Sequence, residues 1–230
     1  MDVTVLIAAY NAEASIAQAV LSALEQDFPS RNREVIVVND GSTDSTLESL
    51  KPFENRIQIL DCPHCGLSKT CNAGLEKARG TYFVRLDADD QLAPDALSSL
   101  LAQKGNAGCV YSDYYEEYPD KSRKRVSMAD FNVFKTIACG ILFSRATAKH
   151  IGGYDELLFE EYDFLMRYLR VNPEKVYVPR PLYHYFRHGA GMTDQSRYLE
   201  EGWKEMINKW GDSELASWDY RQVYPYACKR

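Results

Sequence analysis

Three polar clusters each follow a short apolar run, and their residue types suggest a common chemistry. Ala9-Tyr10-Asn11 follows the run that begins at Thr4, Asn39-Asp40-Gly41-Ser42-Thr43-Asp44 follows Glu34 to Val38, and Asp87-Ala88-Asp89-Asp90 follows Thr81 to Leu86. In the third cluster, Asp87 and Asp89 flank one small residue, Ala88, so carboxylates are concentrated at one point. Such packing is unfavourable unless a cation neutralises it, and Mg²⁺ or Mn²⁺ with oxygen ligands fits. Magnesium takes few protein carboxylates and completes its shell with phosphate oxygens, which points to a nucleoside diphosphate. Asp40 could accept hydrogen bonds from a base edge, and Tyr10 offers a flat face for stacking. Each cluster alone also reads as turn chemistry or a helix cap. Convergence of all three on one sheet edge weakens that plainer account.

The elements that would position them alternate. Thr4 to Ala9 and Glu34 to Val38 are continuous apolar runs, as expected of strands buried on both faces. Between them, Ser15 to Gln26 places Ile16, Ala19, Val20, Ala23 and Leu24 on one helical stripe. A helix to Leu50 capped by Thr43 or Asp44, a strand from Arg56 to Leu60, a helix from Ser68 to Ala78 closed by Gly80, and a strand from Thr81 to Leu86 continue the pattern. This is a parallel sheet with helices on both faces, and ligands of such sheets bind beyond the strands' carboxyl ends. Further on, a helix opens at Pro94-Asp95 and runs to Ala102, and a Tyr-rich strand spans Cys109 to Tyr118. A polar turn at Asp120 to Arg125, a strand at Ile137 to Ser144, a helix at Tyr162 to Arg170, short β segments at Val176 to Arg187 and a helix at Arg197 to Trp210 complete the reading.

Of 230 residues, 27 are Lys or Arg and 33 Asp or Glu, a net charge of −6. An acidic balance argues against nucleic acid as a partner, and 45% hydrophobic content argues against disorder. No run approaches the roughly 18 apolar residues of a membrane span, and the acidic start Met1-Asp2 is unlike a secretion signal. The expectation is a cytoplasmic protein whose six cysteines are reduced thiols.

In their order, Thr4-Val5-Leu6-Ile7-Ala8-Ala9-Tyr10-Asn11, Val38-Asn39-Asp40-Gly41-Ser42-Thr43-Asp44 and Leu86-Asp87-Ala88-Asp89-Asp90 resemble the signatures of family 2 glycosyltransferases. The resemblance continues through Gly152-Gly153-Tyr154-Asp155-Glu156, Glu160-Glu161-Tyr162-Asp163 and Tyr185-Phe186-Arg187-His188, and covers roughly residues 3 to 193. It implies the GT-A fold: one α/β domain over 1–195, with a nucleotide-binding half (1–92), an irregular acceptor-side half (93–195) and a helical extension (196–230). It also implies inverting, metal-dependent transfer from a nucleotide sugar, with a UDP-sugar as donor and a saccharide, polysaccharide or lipid-linked acceptor. Ala9, Tyr10, Asn11, Asp40, Asp87 and Ala88 would form the nucleotide site, with Asp87 near the ribose. Asp89 and His188 would hold Mn²⁺ or Mg²⁺. Glu161 falls on the general-base position, with Glu160 as the alternative, and Gly153 and Tyr154 lie on the acceptor side.

The chain departs from the family pattern at Ala8-Ala9, where Pro is usual, and at Cys71, where Arg is usual. Lys69 could supply the missing charge, as a point charge rather than a bidentate fork. A non-catalytic nucleotide-sugar-binding module is the alternative, motivated by Cys71 and Glu161. No GxGxxG follows the first strand, which argues against a Rossmann dehydrogenase. Cys62-Pro63-His64-Cys65 has no second CxxC and reads as a loop, and Cys139-Gly140 reads as packing. Tyrosines 111, 114, 115, 118, 154 and 162 are either a sugar-stacking wall or sheet packing. Lys121 to Arg125 is either a solvated turn or a contact with a phosphorylated acceptor or with anionic head groups at the inner face of a membrane.

Overall fold

The computed structural model describes residues 1–188 and 196–222. Four strands, β1 (Val3–Ala9), β2 (Arg33–Asp40), β3 (Gln58–Cys62) and β4 (Tyr82–Asp87), form the parallel part of the sheet in the order β3-β2-β1-β4. Val5, Leu6, Ile7, Val35 to Val38, Val84 and Leu86 are almost wholly buried, as continuous apolar runs require when helices cover both faces. The covering helices are α1 (Ile16–Leu24), α2 (Thr46–Leu50) and α3 (Leu67–Lys77). The stripe expected on α1 is the buried one, Ile16, Ala19, Val20, Ala23 and Leu24.

The sheet does not stop at β4. The short β5 (Gln91–Leu92) and α4 (Ala96–Gln103) follow, then β6 (Cys109–Glu117), β7 (Arg123–Val126) and β8 (Leu142–Ser144). After α5 (Arg145–His150) and α6 (Glu160–Val171), β9 (Lys175–Phe186) closes the sheet, in the order β4-β8-β6-β9-β5 with β7 on β6. β8 runs antiparallel to β4, so the second half of the chain extends the same sheet. Finally α7 (Ser196–Trp210) and α8 (Asp212–Ser217) bring Trp203, Met206 and Leu215 into the common core. Among the described residues no helix is long and apolar enough to cross a membrane.

Several expectations need correction. Gly80 does not close α3, which ends at Lys77. A Cβ on Gly80 would lie 2.5 Å from the Thr4 amide, so that glycine serves the close passage of the chain beside β1. The strand expected at Ile137 to Ser144 is only Leu142–Ser144, because Gly140 at φ +73° breaks the extended run. Arg123 to Arg125, expected in a turn, pair with β6. There Arg125 is ion-paired to Asp113 at 2.6 Å, and Arg123 lies 4.6 Å from the Tyr115 ring, so part of that positive charge is already engaged. The segments expected at Val176 to Arg187 are one strand, and a register shift against Ser112/Asp113 accounts for their broken pattern. Tyr111, Tyr114 and Tyr154 are buried, which makes them packing residues. Cys62, Cys65, Cys71, Cys109 and Cys139 are free thiols, and Cys228 lies outside the described residues.

Candidate active site

The three clusters meet at the carboxyl edge of β1, β2 and β4, where parallel sheets bind ligands. Register places Ala9 opposite Asn39 and Ala8 opposite Asp87. The first two loops are laced together. Asn11, at φ +49°, donates its amide to Ser42 Oγ at 2.9 Å and accepts the Thr43 amide on Oδ1 at 2.8 Å. Similar bonds join the two loops further along: Ser45 N–H donates to the Glu13 carboxylate at 2.8 Å, and Glu13 N–H donates to the Asp44 carboxylate at 3.0 Å. Asn11 is thus a clasp between the loops beside the site.

Asp40 is buried at the end of β2. Its oxygens accept the amides of Cys65 at 2.7 Å and Gly66 at 3.1 Å, and His64 Nδ1 lies 3.0 Å away. Burial alone would raise its pKa, but those amides and the Cys65 and Thr70 side chains outweigh it and keep the carboxyl below its ordinary range. Gly41, at φ +65°, lets this loop approach, since a Cβ there would be 2.6 Å from the His64 nitrogen. The His64 ring stacks on Tyr10 at 4.3 Å, and Tyr10 is 48% exposed, so a flat aromatic surface stands beside Asp40. His64 escaped the sequence reading because a single ring in a loop carries no periodic signal.

On the next strand, Asp87 and Asp89 separate into different surroundings. The half-exposed Asp89 carboxylate is 2.8 Å from His188 Nε2, so residues ninety-nine apart in sequence face each other at the rim. Asp90 is buried, accepting Tyr183 O–H at 2.8 Å and Phe186 N–H at 2.8 Å. Burial, then the charges of Asp87 and Asp89, push its carboxyl up to about 8. Tyr183 Oη also accepts the Asp87 amide at 3.2 Å, tying β9 to the third cluster. Ala88 is buried between the aspartates. Among the described residues no group of three His, Cys, Asp or Glu side chains could hold a metal. Asp89 and His188 offer one oxygen and one nitrogen ligand at an open rim, which suits a cation that takes its other ligands from phosphate and water.

Opposite this edge, the first turn of α6 carries Glu160 and Glu161. Glu160 is buried and accepts Arg85 Nη1 at 2.9 Å, while Arg85 Nε donates to Asp87 Oδ1 at 3.0 Å. Burial raises Glu160, and Arg85 opposes that rise. Glu161 is partly exposed. Burial, then the charges of Glu160 and Asp87, push it up to about 8, against the pull of Arg85 and the Ala138 amide. Arg85 was missed in the sequence although a signal existed. A lone Arg inside the buried run Tyr82-Phe83-Val84-Arg85-Leu86 must have an anionic partner.

The remaining candidates are support. Lys69 is exposed and paired with Glu156 at 2.8 Å, so its charge is already engaged. Cys71 is fully buried, its thiol pushed up to about 12 by burial, with Arg85 among its charged neighbours. Asn72 clamps Tyr154 by Nδ2–H to its carbonyl at 2.7 Å and by accepting its amide at 2.8 Å. The Tyr154 ring is buried, stacked 4.3 Å from Phe164, so it backs the site rather than lining it. Gly153, at φ +74°, permits this clamp: a Cβ would lie 2.2 Å from Asn72 Oδ1. Gly153→Ala should therefore cost about 1–3 kcal/mol in urea unfolding. Gly152→Ala, at φ +86° but facing open space, should cost only the backbone strain of about 1–2 kcal/mol.

A family model described as glycosyl transferase family 2 matches residues 4–155. The chain belongs to that family. Chondroitin synthase of Pasteurella multocida (strain Pm70) is 38% identical over 126 residues, which are 52% of this chain and 13% of that protein. The chain thus spans about an eighth of the first curated relatives it matches. The crystal structure of S. aureus TarS 1-349 in complex with UDP-GlcNAc superposes with a TM-score of 0.73 at 21% identity, covering 83% of this chain and 60% of that one. A mannosyltransferase, PcManGT from Pyrobaculum calidifontis in complex with GDP-Man and Mn²⁺, gives a TM-score of 0.67 at 17% identity, covering 90% and 64%. At these identities the solved structures establish the GT-A fold of this family 2 chain, an α/β sheet flanked by helices.

Proposed function

We propose that this family 2 chain is an inverting glycosyltransferase that moves a sugar from a UDP-sugar to a saccharide, polysaccharide or lipid-linked acceptor. The observation that carries the reading is the meeting of two acidic groups: Asp87 and Asp89 on the sheet edge, and Glu160 and Glu161 on the first turn of α6, joined through Arg85, with Asp87 close enough to act on the Glu161 carboxyl. Tyr10, Asp40 and His64 form the base end of the donor site, with Ala9, Asn11 and Ala88 shaping its floor and Asp87 near the ribose. Asp89 and His188 would hold Mn²⁺ or Mg²⁺, which when bound would supply positive charge against the diphosphate leaving group. Residues 1–92 act as the donor half and 93–195 as the acceptor half, with Gly153 and Tyr154 supporting the acceptor side; of the extension 196–230, the described part to 222 is helical and the rest lies outside the described residues.

In this reading the acceptor hydroxyl oxygen bonds to the anomeric carbon as the bond to the diphosphate oxygen breaks, its electron pair leaving with UDP. The hydroxyl proton passes to Glu161. A base titrating near the working pH is well matched to that transfer. One carboxylate suffices, because a single displacement inverts the anomeric centre; a retaining hydrolase needs two.

The decisive assay is UDP release from a panel of UDP-sugars with Mn²⁺ and mixed saccharide acceptors, with the product anomer read by NMR. Acceptor-dependent release and an inverted anomer are expected. UDP-sugar binding without release would make the chain the non-catalytic module instead.

Stability and activity should respond to pH in opposite directions. Glu161 keeps its proton to about pH 8 in the folded chain, against the ordinary carboxylate range when unfolded. That contribution is full below the unfolded value and is lost as pH rises through the folded one. Without divalent cation, the melting temperature should fall from about pH 5 to about pH 9 while kcat rises with Glu161 ionisation. Parallel pH series of melting and turnover check both signs.

A further inference from the structure

Arg85 is 3% exposed in the middle of β4, where an unpaired guanidinium would be very costly. It uses different nitrogens for two carboxylates on different elements: Nε for Asp87 at 3.0 Å and Nη1 for Glu160 at 2.9 Å. Its central carbon lies 5.8 Å from the Tyr154 ring centroid; Asn72 holds the Tyr154 backbone and Phe164 stacks on the ring. Lys69 and Arg187 are committed elsewhere, to Glu156 and Glu116. Successive helical residues point about 100° apart, so Glu160 can face the strand while Glu161 turns toward Ala138.

We propose that Arg85 is the positioning residue that joins the two halves of the site. Its fork fixes Asp87 and Glu160 together, commits Glu160 to the role of counter-ion and leaves Glu161 as the base. This rests on the transferase reading above. A planar guanidinium can hold two carboxylates in one fixed geometry, whereas an ammonium is a flexible point charge. The carboxylate pair on α6 is therefore sorted by a residue of β4, and the distance between donor and acceptor sides is set by one side chain.

The test is steady-state kinetics at saturating donor and acceptor for the wild type, Arg85→Lys, Arg85→Met and Arg85→Met/Glu160→Met. The double variant removes both buried charges, so it keeps the test open should Arg85→Met fail to fold. Loss of kcat by ~100-fold is expected for Arg85→Met and for the double variant, since misplacing reacting groups by ~1 Å costs that much. Arg85→Lys should fold, bind UDP and still lose ~10-fold or more in kcat. The pH–rate profile supplies a signature that packing alone would not move. Glu161 is faced by Glu160 from α6, Asp87 and Arg85 from β4, Tyr114 from β6, Tyr185 from β9 and Tyr198 from α7, and Cys71, Cys139 and Tyr154 flank Arg85. Losing Arg85 alone should move the acid limb to higher pH, and losing Glu160 as well should move it to lower pH. Wild-type kcat in Arg85→Lys or in the double variant, or an unmoved acid limb, overturns the inference alone. A wild-type chain that turns over no donor overturns the transferase reading and this inference with it.

Discussion

Glu161→Gln should lower kcat by about 10²–10⁴-fold while leaving UDP-sugar affinity within a small factor. The substitution is nearly isosteric and removes only the capacity to take a proton. The proposed base-binding end, where Tyr10 stacks on His64 beside Asp40, lies at the ends of β1, β2 and β3, whereas Glu161 stands on α6. Transfer should therefore be lost with donor binding intact, a split that calorimetry with UDP and a turnover assay read separately. The variant should also be the more stable protein at alkaline pH, because Gln has no charge to desolvate where Glu161 is pushed up to about 8. A fully active Glu161→Gln would move the base to Glu160, and with it the role assigned to Arg85.

The second large effect is expected at the rim. Asp89→Ala should abolish the metal-dependent part of UDP's protection against thermal unfolding. A ligand at about 100 times its Kd stabilises by about 2.7 kcal/mol, and the Mn²⁺-dependent share of that should vanish. The carboxylate is half exposed and pairs with the half-exposed His188 at 2.8 Å, so its removal should leave the fold's own melting point nearly unchanged. Melting curves with UDP alone, Mn²⁺ alone and both together isolate the coupling. Unchanged coupling in Asp89→Ala would take Asp89 out of the metal site.

The two variants probe the proposed acceptor and donor sides, and the chain reaches those sides differently. The donor edge is largely local. The runs ending at Ala9, Val38 and Leu86 are near-continuously apolar, their polar clusters follow directly, and parallel pairing brings the ends into line. The acceptor side was less legible. β5 has two residues, too few for a period, and β8 is cut to Leu142–Ser144 by the left-handed Gly140. The six residues of α5 and the six of α8 are likewise short for a helical stripe. Cys71 illustrates the limit: its neighbour in sequence, Lys69, suggested a replacement charge, yet Lys69 points to Glu156. The buried cation among these carboxylates comes instead from β4, as Arg85.

By itself, the sequence determined the kind of protein this is. Apolar runs long enough only for buried strands, each ending in Asp, Asn or Gly, specify a parallel α/β sheet with an acidic edge. Those properties are fixed by neighbours along the chain, through strand burial and turn geometry. The tertiary structure alone decided which acids act together. Arg85 meets Glu160 and Asp89 meets His188 across long stretches of intervening chain, because β8 and β9 extend the sheet and carry α6 back over its edge. The separation of Glu160 from Glu161 follows from those contacts. Two adjacent glutamates are alike in sequence; one buried guanidinium on one of them makes them chemically different.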